Sequence, residues 1–117
     1  NAKVKSNISN GGKVLNIYCW NDEFKTRFDT YVRAEIEAKG VTVNFIQAPN
    51  QDGVYRQKLD AALEAASTAK PEDKIDMFLV EADYALAYVD TPFTVPVCAL
   101  LPEVLSYAFS PRVQVIF

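Results

Sequence analysis

Histidine is absent from this chain of 117 residues, and its absence removes more chemistry than any residue present supplies. The commonest general base and the commonest zinc ligand are both missing, so triads of the serine–histidine kind are excluded. Glycine is scarce, with four residues, and no glycine-rich turn of the phosphate-cradling type follows a strand. There are two cysteines, Cys19 and Cys98, far apart in sequence. Two buried thiols and a disulfide are both open, the thiols being the simpler reading because a lone cysteine beside a strand usually acts as a small hydrophobe. No basic run offsets the net charge of −3, which argues against nucleic acid or an anionic membrane as partner. No apolar stretch is long enough to span a bilayer, and no signal peptide is visible.

Half the residues are apolar and 23% are charged, the composition of one globular domain with a modest core. Residues 1–12 (NAKVKSNISNGG) are polar and read as a flexible leader. "KVLNIY", 13–18, is a β-prone first strand. A helix is expected over 22–39, because Phe24, Phe28, Tyr31, Val32 and Ile36 recur at the spacing of one buried face. Asn21 suits its N-cap, Asp22 and Glu23 suit the positive end of its dipole, and Lys39-Gly40 is a stop. "VTVNFI", 41–46, alternates as a second strand. A second helix over 54–69 shares Tyr55, Leu59, Ala62, Leu63 and Ala66 on one face, with Asp52 as a candidate cap. Pro71 closes it. "IDMFLV", 75–80, reads as a strand covered on both faces, and "EADYALAYVD" as a short third helix.

The order β-α-β-α-β-α implies right-handed crossovers and an α/β fold, three-layered around a small, mostly parallel sheet. The domain is expected over 13–97. Residues 98–117 carry only Glu103 and Arg112 as charges, against 25 in the 97 residues before them. They read as an apolar tail of helix plus strand ("LPEVLSYAF", "RVQVIF"), in which an exposed terminal strand invites pairing with a second copy of the chain.

Ligands of open α/β sheets bind beyond the carboxyl ends of the strands, where strand order reverses. A strand order of 2-1-3 would set Trp20, Asn21, Asp22 and Glu23 beside Glu81, Asp83 and Tyr84, with Asn50 and Gln51 from the loop after the second strand. Aromatics, carboxylates and amides together suit a neutral polyol, whose hydroxyls they bond and whose C–H face an aromatic ring covers. Phosphate suits them poorly, because no lysine or arginine is expected at the rim. Plainer readings stand beside this one. In them Asn21 to Glu23 only start a helix, Trp20 belongs to the core, Asp83 caps the third helix and Glu81 is a solvated charge.

From Lys13 to Val97 the chain resembles the start of the extracellular solute-binding proteins of sugar-type ABC importers, the maltose- and oligosaccharide-binding class. "KVLNIYCWNDEF", "VTVNFIQAP", "VYRQKLDAALEA" and "DKIDMFLVEADYALAYVD" carry the resemblance, in that order. It implies part of the first lobe of a type II periplasmic-binding-protein fold, two-lobed when whole, binding sugar without catalysis or cofactor. Trp20, Asn21, Asp22 and Glu23 would line the cleft after the first strand, Glu81, Asp83 and Tyr84 after the third, with Asn50 and Gln51 beside them. Family members are extracytoplasmic, commonly lipid-anchored, and deliver to a membrane permease. Their chains are several times longer, so a truncated fragment is expected, its sugar binding weak or lost and its uncovered edge prone to self-association.

Two other classes fit the same elements. A phospho-acceptor receiver domain would use Asp22, Glu23 and Asp83 to hold a divalent cation, but it also needs a late lysine, and none follows Lys74. A non-binding, self-associating module would use the acidic rim for capping alone. An acid/base pair of Asp22 or Glu23 with Glu81 has no supporting nucleophile, so an enzyme is not expected.

Overall fold

The structure, a computed structural model, describes residues 13–94. The expected leader, and a tail that includes Cys98, lie outside them. The chain divides into two compact units: described residues up to Leu79 belong to one and those from Val80 to the other.

In the first unit, β1 (Val14–Cys19) is flanked by β2 (Thr42–Gln47) and β3 (Met77–Phe78), giving the order β2-β1-β3 with both pairings parallel. The α/β class and the parallel sheet agree with the sequence pattern. Register runs from Val14 opposite Thr42 to Cys19 opposite Gln47, and Ile17 lies opposite Met77. The third strand is shorter than expected over 75–80. Its ladder is extended on either side by Asp76 N–H donating to the Asn16 carbonyl and Leu79 N–H to that of Tyr18, each at 3.0 Å.

Pleating sends alternate residues of β1 to opposite faces. Leu15 and Ile17 meet Phe24, Phe28, Ile36, Val43, Phe45 and Met77, so the helical segment after β1 covers that face. Tyr18 points the other way, against the ring of Tyr55 at 5.5 Å. Tyr55 belongs to α3 (Val54–Ala65), where it is buried with Leu59 and Leu63. The sheet is therefore sandwiched between helices, the three layers expected.

The first helix is not continuous. It divides at Val32 into α1 (Asp22–Tyr31) and α2 (Arg33–Ala38), with Val32 at φ −127°. Thr30 Oγ1 donates to the Thr26 carbonyl at 2.8 Å, a back-bond that bends helices, and a β-branched residue follows at the break. Tyr31 and Val32, both expected inside, are exposed at this break, Tyr31 to 80%, whereas Phe28 is buried. Arg33 bridges the break. Its guanidinium pairs with Asp29 of α1 and Glu37 of α2, bonds the Val43 carbonyl at 3.3 Å and lies over the Phe45 ring.

Two further expectations fail locally. Asp52 does not cap α3: Gly53 occupies the N-cap position at φ +74° with no side-chain bond, and Asp52 itself takes φ +51° in the turn before it. A left-handed pair tightens the loop, which glycine permits and aspartate tolerates. In the unit from Val80, the third helix is reduced to a 3₁₀ turn, Ala85–Ala87, with no side-chain cap from Asp83. Ala87 N–H reaches Tyr84 and Tyr88 N–H reaches Ala85, i to i+3 bonds of a segment too short to sustain an α-helix.

Candidate functional site

β1 ends in an aromatic, and the chain then turns at once into α1. Asn21 takes extended geometry (φ −154°) and its Oδ1 accepts from Glu23 N–H at 3.0 Å. This cap fixes where Trp20 and Glu23 project, so the helix-start and site readings of Asn21 coexist. Trp20 is half-buried, its ring edge-on to Tyr55 at 5.2 Å. It is neither a core residue nor a free platform.

Tyr55 holds this corner from below. The residue is fully buried, and its hydroxyl lies 2.7 Å from the Leu79 carbonyl and 3.1 Å from that of Tyr18. Because Leu79 N–H already donates to Tyr18, the Leu79 oxygen is the better acceptor for the single phenolic proton. One α3 side chain thus ties the carboxyl ends of β1 and β3 together and packs against Trp20. The "VYRQKL" motif placed Tyr55 on a core face. Its hydroxyl role was not legible there, because both acceptors are main-chain groups distant in sequence.

An open hollow of about 190 Å³ lies at this corner, lined by Trp20, Asn21, Glu23, Phe24, Arg27 and Leu79. Three of the expected site residues are brought together in it. Asp22 is not, since its carboxylate accepts from Gln47 Nε2 at 3.3 Å. Asn50 and Gln51 are exposed and outside the lining; the Gln51 carbonyl accepts from Val54 N–H and so helps to start α3. In the unit from Val80, Glu81 and Asp83 are exposed, and Tyr84 is half-buried with its ring against Tyr88 at 6.4 Å.

The rim was expected to carry no cation, and that is corrected by Arg27. It lies one helical turn beyond Glu23, so α1 carries it into the same hollow, where its Nη2 donates to Glu23 Oε1 at 2.9 Å. The i, i+4 rule applied to Glu23 would have found it. Cys19 is the last residue of β1, buried and unbridged. Burial, and secondarily the nearby Asp22 carboxylate, push its thiol above the usual range, with Lys25 opposing. That is an inert setting for a nucleophile.

Asp22 and Glu23 belong to no metal-binding cluster: among the described residues no group of three histidine, cysteine or carboxylate side chains could hold a cation. Among them, too, no helix is long and apolar enough to cross a membrane. No family model, curated protein or solved structure matches the chain.

Proposed function

We propose that this chain is first-lobe sequence of an extracytoplasmic solute-binding protein serving a sugar-type ABC importer, and that the hollow at Trp20 receives one face of a pyranose. The observation that supports this reading is where the hollow lies. It opens at the carboxyl end of β1 beside Leu79, which follows β3, and the connection from β2 to β3 carries the chain across to the other side of β1. Such a reversal of strand order is where α/β sheets take ligands. Its lining combines an aromatic, an amide, a carboxylate and a guanidinium, the groups that cover C–H and bond hydroxyls. A single open wall makes only part of the contacts of a closed cleft, so the affinity expected is roughly millimolar.

A nitrogen-15 NMR titration of the full chain with maltose and maltotriose tests this. Saturable shifts centred on residues 20–27 and Leu79 are expected, with a matching change in the emission of Trp20, the chain's single tryptophan. Flat spectra throughout, or shifts confined to other surfaces, would overturn the proposal.

A further inference from the structure

β2 lies at one edge of the sheet, with β1 on its inner side. Thr42 N–H donates to the Lys13 carbonyl at 2.8 Å and Ala48 N–H to the Cys19 carbonyl at 3.0 Å, with unbroken register between them. In a strand the N–H and C=O of one residue point to one side, and the side alternates from residue to residue. Residues 42, 44, 46 and 48 therefore face β1, while Val43, Phe45 and Gln47 turn their main-chain groups outward. Such a row is a template for an added strand. It is also symmetric about Phe45, so the strand it fits is β2 of a second copy, running antiparallel. Phe45 would pair with its own counterpart and Val43 with the other copy's Gln47, the self-complementary contact of a two-fold dimer.

One of the outward groups is already taken. Arg33 of α2 reaches over the edge, and its Nη1 donates to the Val43 carbonyl at 3.3 Å. The second Nη1 proton goes to Glu37 Oε1 at 3.0 Å, and Asp29 holds Nε. The guanidinium lies over the Phe45 ring at 5.6 Å, and Lys25 Nζ is 5.8 Å from the same ring. Among the described residues, no other group bonds the outward side of β2. An antiparallel copy needs the Val43 carbonyl of each chain. It would have to pull each guanidinium off a carbonyl against the hold of two carboxylates and a ring. Charged side chains laid on an edge keep natural sheets from pairing in this way. We propose that Arg33 closes the β2 edge against strand addition by a second copy of this chain.

The test is amide hydrogen exchange of the full chain, followed by NMR over a range of protein concentrations. In the parent chain, exchange at the outward amides of Phe45 and Gln47 should not depend on concentration. In Arg33→Met the same amides should slow about tenfold at the highest concentration, as the edge becomes paired. Adding Gln47→Pro should abolish that slowing: proline removes an outward N–H that β1 does not use, and edge strands tolerate it. Glu37→Gln weakens the hold on Arg33 but leaves the Val43 bond, so it should behave as the parent and separate edge closure from general loss of stability. Should Arg33→Met fail to fold, Arg33→Lys, which keeps the charge and loses the fork, is read in the same way. Concentration-independent exchange in the Arg33 variant would overturn the inference. So would slowing that survives Gln47→Pro, or slowing already present in the parent.

Discussion

Asn16 stands in the middle of an apolar strand and is only 4% exposed. A buried amide there would be costly without partners, and its partners are complete. Its Nδ2 donates to the Glu72 and Lys74 carbonyls at 2.7 and 2.8 Å, and its Oδ1 accepts from Asn44 Nδ2 at 3.0 Å. Its backbone N–H donates to Asp76 Oδ2 at 2.8 Å, and its carbonyl accepts from Asp76 N–H. Asp76 thereby completes the ladder ahead of the two residues of β3. Asn16→Ala would leave two main-chain carbonyls without their donor, and a loss of about 2–4 kcal/mol is expected. Urea denaturation should show a lower midpoint at an unchanged slope. An unchanged midpoint would mean that water reaches these carbonyls and replaces the amide.

Among the elements, the joint between β1, β3 and α3 depends most on one group. Tyr55→Phe keeps the ring against Tyr18 and Trp20 and removes only the hydroxyl that bonds the strand ends. Loss of that buried bond should cost about 1–3 kcal/mol. The effect should also be local: hydrogen exchange at the Leu79 amide should speed up more than exchange at amides within α3. Equal acceleration everywhere would assign the hydroxyl to global stability alone. The α1–α2 break shows the converse case, in which a local defect is spanned by a side chain. Arg33 reaches Asp29, Glu37, the Val43 carbonyl and Phe45, so both helical pieces stay on the sheet despite the bend.

For the molecule as a whole, the clearest pH dependence comes from the α1–α2 break. Hydrogen bonds from Lys25, and then from Arg33, hold the Asp29 carboxyl below the usual carboxylate range. A folded-state value lowered in this way means that the unfolded chain binds the extra proton first as pH falls. The contribution is therefore fully present above an unfolded value of about 4, and is lost as pH drops through the lower folded value. Urea midpoints measured from neutral pH to about pH 2 should fall in the parent chain. In Asp29→Asn they should fall less steeply, so the gap between the two proteins narrows toward acid. A gap that holds constant with pH would mean that the Asp29 charge contributes nothing.

The order of elements, the buried faces at Phe28, Leu59 and Leu63, and the Asn21 cap were all legible in the sequence. Each follows from spacing along one segment, and local sterics and hydrophobic burial act on that spacing directly. The same spacing misplaced Tyr31 and Val32, which stand where the helix it assumed to be continuous divides in two. It also took Asp52 for a cap where the backbone needed a left-handed turn. The site was half legible: Trp20, Asn21 and Glu23 share the hollow, whereas Asp22 turned to Gln47 and Arg27 arrived from the next helical turn. Tertiary structure decided the clamp of Tyr55, the partners of Asn16 and the membership of the hollow. Those depend on which main-chain carbonyls of distant segments come within about 3 Å of a side chain, and only the packed sheet brings them there.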